Sequence, residues 1–261
     1  MTAVDFAAFV DRLADASGEA ILPFFRTALS VEDKRSSRGF DPVTAADKAA
    51  ESVMRELIRR TFPRHGVVGE EFDDVATDAE YVWVLDPIDG TKSFILGLPV
   101  WGTLIGLTRN GSPCYGMMHQ PFIGEKFFGD GRSASYRGRN GPRRLRARAC
   151  AGLEDAMLMS TTPTMFDEGE RSSFDRVAGS VRQMRWGGDC YAYAMLAAGH
   201  LDLVVEADLK PFDITALIPI VQGAGGIVTT WDGQPATNGG RIIAAGDKRV
   251  HEAAMELLAR G

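Results

Sequence analysis

The densest chemistry in this chain lies in six residues, Asp86-Pro87-Ile88-Asp89-Gly90-Thr91. They directly follow the apolar run Tyr81–Leu85, which reads as a compact buried strand. Two carboxylates three residues apart at a strand end, with proline fixing φ between them, can converge on one point. Hard oxygen donors of this kind suit Mg²⁺, and the Ile88 carbonyl could add a further ligand. If Gly90-Thr91-Lys92-Ser93 opens a short helix, its free N–H groups point outward and bind an anion such as phosphate. Asp-Pro and Asp-Gly are also ordinary turn formers, so the motif alone leaves a plain turn open.

The fragment Asp89-Gly90-Thr91 overlaps the D-x-D-G-T pattern of phosphatases that form an aspartyl-phosphate. In that spacing the nucleophile falls at Pro87, which has no nucleophilic group. The attacking group is therefore expected to be a metal-activated water. Two further carboxylate sites fit. Gly69-Glu70-Glu71 ends another short strand. Pro211-Phe212-Asp213-Ile214-Thr215-Ala216 starts a helix that runs into Gly223-Ala224-Gly225-Gly226. Taken singly, paired Glu in a loop is ordinarily solvated, and Asp213 in a first helical turn is a favourable dipole partner.

These residues need elements to place them. Phe6, Phe9, Val10, Leu13 and Ile21 recur at near-helical spacing, and Pro23 ends that helix. Lys34–Phe40 reads as a mobile loop. Thr44-Ala45-Ala46-Asp47 resembles a capping box that opens a helix through about Arg60. Short β-type runs follow: 66–69, 81–85, 101–111 with an Asn-Gly turn, then SPCYGMMHQP and GEKFFG. Residues 132–148 hold seven arginines and no acid, with Asn140-Gly141 as a hairpin tip. They form a solvated hairpin or a local anion-attracting patch. Beyond them strands (156–160, 201–206, 226–230, 241–245) alternate with helices (170–181, 189–198, 212–222, 247–259). This predicts two lobes: 1–150, mostly antiparallel and carrying most of the candidate carboxylates, and 151–261, α/β.

Composition excludes other classes. The chain has 261 residues, 45% hydrophobic and 25% charged, an ordinary globular balance with room for a buried core. A net charge of −6 offers no bulk basic surface for nucleic acid or anionic lipid. No apolar run approaches the ~20 residues of a membrane span. The start of the chain lacks a cationic region followed by an apolar one, so no signal peptide is expected. Three scattered cysteines and four histidines, without a CxxC pair, argue against a zinc site and for reduced thiols in a cytoplasmic protein.

With these motifs in this order, the chain resembles the inositol monophosphatase family of Mg²⁺-dependent phosphomonoesterases. Gly69-Glu70-Glu71, the 86–91 motif, the 212–226 stretch and Val43–Asp47 all match, and the resemblance spans nearly the whole chain. It implies an αβαβα sandwich. It implies two or three Mg²⁺ held by Glu70, Asp86, the Ile88 carbonyl, Asp89 and Asp213. Gly90 and Thr91 match phosphate-binding positions, and Asp47 and Thr91 match a pair that orients the water. Asp47 also serves as the third helical residue of the capping box. Phe212 departs from the family, which often has Trp there, but keeps an aromatic wall. A homodimer is a further family expectation.

By the same resemblance the alcohol pocket is lined by Gly187-Gly188-Asp189-Cys190 and by Glu206 to Lys210. Asp189 stands where inositol-type members usually carry a small neutral or hydroxyl residue. Together with Glu206 and Asp208 it makes an acidic pocket, which favours a cationic leaving group over a neutral polyol. Arg185–Asp213 looks most like the histidinol-phosphatase branch. The expectation is hydrolysis of histidinol phosphate, a small-molecule ester, in histidine biosynthesis. The alternative is inositol 1-phosphatase or a broader sugar-phosphate phosphatase. Asp189 could also cap the helix that follows it. Lys210 is expected to reach phosphate or solvent, or to pair with Asp208. A nucleotide-phosphate phosphatase is disfavoured, because such members are longer. A non-catalytic binding module is disfavoured because all four candidate carboxylates are present.

Overall fold

The structure is a computed structural model that describes residues 6–28, 31–33 and 42–259. The expected loop Lys34–Phe40 lies outside the described residues. Helix α1 (Phe6–Ile21) forms because its apolar residues fall on one face, and Phe9, Val10, Leu13, Ala14 and Ile21 are buried. After the short antiparallel pair β1 (Val31–Asp33) and β2 (Pro42–Thr44) comes α2 (Ala45–Thr61). The capping box at its start is present: Thr44 accepts from the Ala46 amide, and the Asp47 carboxylate accepts from the Thr44 amide at 2.8 Å.

A seven-stranded sheet follows in chain order: β3 (Gly66–Gly69), β4 (Tyr81–Asp89), β5 (Gly102–Arg109), β6 (Ser112–Gln120), β7 (Glu125–Gly129), β8 (Ala134–Gly138) and β9 (Gly141–Arg144). Only β3 and β4 run parallel. The short helix α3 (Thr91–Ile95) separates β4 from β5. Asn110 and Gly111, with φ of 49° and 77°, make the tight β5–β6 turn that Asn-Gly favours. The arginine-rich stretch forms the β8–β9 hairpin, with the Arg143 guanidinium over the Tyr136 ring.

The second sheet has the order β11-β10-β12-β14-β13. Its strands and helices are β10 (Met157–Ser160), α4 (Glu168–Ala178), β11 (Gln183–Trp186), α5 (Cys190–Ala197), β12 (Leu203–Leu209), α6 (Pro211–Ile214), α7 (Leu217–Gly223), β13 (Ile227–Thr230), β14 (Gly240–Ala245) and α8 (Lys248–Leu258). Strand alternation distributes the core. Trp83, Leu85, Ile105 and Met117 pack on α1 and α2, whereas Leu104 and Met118 pack on α5 and α7. In the second sheet Val204 and Ile242 join that same central layer, while Leu203, Val205 and Ile243 pack on α4 and α8. The result is an αβαβα sandwich. Among the described residues, no helix is long and apolar enough to cross a membrane.

Three elements differ from the sequence reading. The strand expected at 81–85 continues through Asp89, with a register shift between Asp86 and Asp89. The helix expected over 212–222 divides into α6 and α7, although Thr215 and Ala216 keep right-handed helical dihedrals. Pro219 has no N–H to offer the Thr215 carbonyl four residues back, so the ladder loses a rung there. Strand β11 was not expected. Its four residues alternate between exposed Gln183 and Arg185 and half-buried Met184 and Trp186, too short a run to stand out, and among the described residues it pairs only with β10.

Under α1, His119 is 5% exposed and its Nδ1 donates to the Ala14 carbonyl at 2.8 Å. Burial, with Lys126 adding to it, lowers its pKa from 6.5 to about 4. The folded state therefore holds it neutral where the unfolded chain would charge it, so its stabilising contribution is full above pH 6.5 and lost as pH falls toward 4. In urea titrations, the stability of the native protein relative to His119→Asn should fall by about 3 kcal/mol between pH 7 and pH 4. A difference independent of pH would contradict this.

Candidate active site

The register shift in β4 places two carboxylates where a regular strand would not. In an unbroken strand, residues 86 and 89 would face opposite sides. With the shift, Asp86, Asp89 and Asp213 each bring one oxygen within 4.8 Å of the others. The intervening turn is anchored from both sides. The Ile88 side chain is buried among Ile21, Phe25, Ala46, Ala50, Phe94 and Trp101. The Thr103 hydroxyl donates to the Pro87 carbonyl at 2.8 Å, and the Thr91 hydroxyl donates to the Ile88 carbonyl at 3.0 Å. Asp213 comes from the first turn of α6, where its carboxylate accepts the Lys210 amide at 2.7 Å.

The electrostatics of this cluster call for a cation. Burial first, then the charges of Glu70, Asp89, Asp213 and Asp47, push the Asp86 carboxyl far above the usual carboxylate range. Burial and the charges of Asp189 and Asp213 do the same to Asp89, against the hydrogen bond from Cys190. Asp213 rises to about 7, chiefly through burial. Asp86 Oδ1 is buried and has no hydrogen-bond partner among the described residues. Converging carboxylates, one with an orphaned oxygen, form an all-oxygen donor set that fits Mg²⁺ or Mn²⁺.

Glu70 lies outside the group of three, but its charge acts on Asp86, so it borders the same site. Its segment is held from α2. Glu51 Oε2 accepts the Glu71 amide at 2.9 Å, while Oε1 accepts Arg55 Nε at 2.7 Å. Arg55 in turn donates to the Asp73 and Phe72 carbonyls. Asp47, Glu51 and Arg55 recur every four residues, so one face of α2 serves the site. Sequence reading singled out Asp47 alone. The same spacing was the available signal for Glu51 and Arg55.

The turn before α5 carries Asp189, which the sequence reading placed in the alcohol pocket. Asp189 occupies the N-cap position, yet among the described residues its side chain makes no capping bond, which removes the alternative reading of it as a helix cap. The first amide is taken instead by Asp89 Oδ2, which accepts from Cys190 at 2.6 Å. Ser93 donates to Asp189 Oδ2 at 2.8 Å. The Asp189 backbone sits at φ 43°, a conformation costing about 1–3 kcal/mol for a side-chain-bearing residue. Gly90, at φ 87°, is needed twice over: its dihedral suits glycine, and a Cβ there would lie 2.9 Å from Asp189 Cγ. Burial raises the Asp189 pKa, opposed by Ser93 and Lys92.

Of two expected pocket residues, Glu206 is enclosed and Lys210 lies at the surface. Glu206 is 2% exposed, and its carboxylate accepts the Thr161 amide, the Thr161 hydroxyl and the Tyr193 hydroxyl at 2.9, 2.5 and 2.8 Å. These bonds tie β12 to the segment after β10 and to α5. Lys210 is exposed and pairs with Asp208 at 3.1 Å, one of the arrangements expected for it. Thr44 reaches Asp47 through its hydroxyl as well as its amide, at 2.5 and 2.8 Å.

With this geometry in place, comparison with known proteins is informative. The model for the "Inositol monophosphatase family" matches residues 4–260. The chain is 42% identical to the bifunctional phosphatase IMPL2, chloroplastic, of Arabidopsis thaliana, over 97% of this chain and 75% of that protein. It is 35% identical to the histidinol-phosphatase of Streptomyces coelicolor, over 94% of each. Its fold superposes on an inositol monophosphatase from Zymomonas mobilis with a TM-score of 0.87 and 39% identity, covering 97% of both chains.

The cluster predicts measurable cation binding. Mg²⁺ added to EDTA-treated protein should raise Tm, and Asp213→Asn should weaken that response by about 100-fold in concentration. Arg55→Ala should weaken it by about tenfold, since it loosens only the segment bearing Glu70. Equal Mg²⁺ responses in the native protein and Asp213→Asn would remove Asp213 from the cation site.

Proposed function

The chain belongs to the inositol monophosphatase family, and we propose that within it this protein hydrolyses histidinol phosphate to histidinol and phosphate, as a step of histidine biosynthesis. The observation that carries this is Asp189: a carboxylate beside the phosphate-binding turn, tied to Ser93 through one oxygen and clear of its own helix cap. A cationic alcohol gains a charge-assisted bond there, whereas a neutral polyol leaves a half-buried carboxylate poorly matched. Histidinol-phosphatases among its relatives support the same choice.

In this proposal Glu70, Asp86, the Ile88 carbonyl, Asp89 and Asp213 hold two or three Mg²⁺. When bound, the cations supply Lewis acidity that makes water nucleophilic and stabilises charge on the leaving oxygen. Gly90 and Thr91 seat the phosphate. The Thr91 hydrogen is committed to the Ile88 carbonyl, which leaves a hydroxyl lone pair to orient water together with Asp47. The water oxygen bonds to phosphorus, the ester P–O bond breaks, and the leaving oxygen takes the proton that the attacking water gives up. Residues 1–150 then supply most of the metal site and 151–261 the alcohol pocket, in a cytoplasmic homodimer. Inositol 1-phosphate hydrolysis is the competing assignment, supported by the likeness to the Zymomonas mobilis protein.

Phosphate release from histidinol phosphate, inositol 1-phosphate, fructose 1,6-bisphosphate and 3′-phosphoadenosine 5′-phosphate tests the choice directly. Histidinol phosphate should give the highest kcat/KM, with no turnover in excess EDTA. Asp189→Ala should lower that value about 10- to 100-fold, as expected for a lost charged hydrogen bond, and affect inositol 1-phosphate far less. A native enzyme that prefers inositol 1-phosphate would overturn the assignment.

A further inference from the structure

We propose that Ser93 is a positioning residue for substrate selectivity, aiming the Asp189 carboxylate at the cationic part of the leaving alcohol. The proposal rests on the histidinol phosphate assignment and adds a residue to it. Its basis is the balance of hydrogen bonds around the α5 N-terminus. An aspartate at an N-cap ordinarily turns back to its own helix amides. Here those amides are already satisfied: Cys190 by Asp89 Oδ2, Tyr191 by the Gly188 carbonyl, and Ala192 by the Asp189 carbonyl. Asp189 is thereby released from capping, and Ser93 Oγ is its hydrogen-bond donor, 96 residues away in the chain.

That single bond decides which oxygen faces the ligand. Oδ2 is held by Ser93 and lies 3.0 Å from the position a Gly90 Cβ would occupy, packed against the turn that seats phosphate. Oδ1 makes no hydrogen bond among the described residues. The backbone at φ 43° fixes the direction in which the side chain leaves the chain. Ser93 is itself fixed, because its carbonyl accepts the Leu98 amide at 2.9 Å. Without the hydroxyl, the carboxylate is free to turn toward Lys92, whose charge already acts on it. A carboxylate neutralised by lysine no longer discriminates a cationic alcohol from a neutral one. Ser93 thus links the distance between phosphate and cation to the metal-bearing turn.

The test is a double-mutant cycle read as a ratio, kcat/KM for histidinol phosphate over that for inositol 1-phosphate on one sample, which cancels the active fraction. Ser93→Ala should lower the ratio about three- to tenfold, mainly through a higher KM for histidinol phosphate. Ser93→Thr, which keeps the hydroxyl, should restore it to within about twofold. In an Asp189→Ala background, Ser93→Ala should change the ratio by less than about twofold. An unchanged ratio, an equal fall in both backgrounds, or a threonine variant as poor as alanine would each overturn the proposal. A native ratio below one overturns the histidinol assignment itself, whereas a high native ratio untouched by Ser93→Ala overturns only the role of Ser93.

Discussion

Gathering one oxygen each of Asp86, Asp89 and Asp213 within 4.8 Å of one another sets like charges together at a site where Asp86 is buried and the other two are half-buried. Nothing about such an arrangement favours folding in the absence of a cation. Burial raises the pKa of all three, and the charges of fellow members add to the rise at Asp86 and Asp89. The surrounding structure must therefore over-determine the cluster. It does so with apolar burial of Ile88, with threonine hydroxyls on the Pro87 and Ile88 carbonyls, and with the Lys210 amide on Asp213. Each support comes from a different element, so no single local rearrangement relieves the repulsion.

The same conflict explains how the two sheets are joined at the site. Asp89 extends from β4 of the first sheet to the first amide of α5 in the middle helix layer. A carboxylate at a helix N-terminus is stabilised by the unpaired amides and the helix dipole. That interaction offsets part of the repulsion and fixes α5 relative to β4. Ser93 and Asp189 run beside it. Two polar links therefore cross between the turn that follows β4 and the turn before α5, one through Asp89 and one through Asp189.

Much of this was legible in the sequence, for identifiable reasons. The capping box at Thr44–Asp47, the Asn110-Gly111 turn and the amphipathic face of α1 are local, and local rules read them correctly. The five-layer sandwich followed from resemblance across the chain and is supported by the arrangement of sheets and helices. What escaped is long-range or depends on a missing group. The β4 register shift is set by pairing with β5, which a hexapeptide cannot report. The loss of a rung between α6 and α7 depends on Pro219 acting four residues back. Glu206 carries the right charge to be a pocket residue, but only tertiary contacts reveal that Thr161 and Tyr193 consume it. Glu51 and Arg55 look like a routine helical ion pair until the 71–73 backbone is seen against them.

The division of labour around α5 also bears on how one scaffold can accept different alcohols. Asp89 satisfies the first amide of the helix, and the backbone satisfies the next two. The residue at the N-cap position is thereby relieved of the duty that usually dictates its identity. Its side chain can be exchanged without unravelling the helix or disturbing the metal-bearing strand, provided the backbone tolerates a positive φ. In this chain the position is Asp189, and Gly90 opposite it has no Cβ to obstruct the larger side chain. A small or hydroxyl side chain there would leave the carboxylate cluster intact while removing one negative charge beside it. Under the proposed assignment, selectivity varies at this place because the helix cap has been delegated to Asp89, a member of the carboxylate cluster.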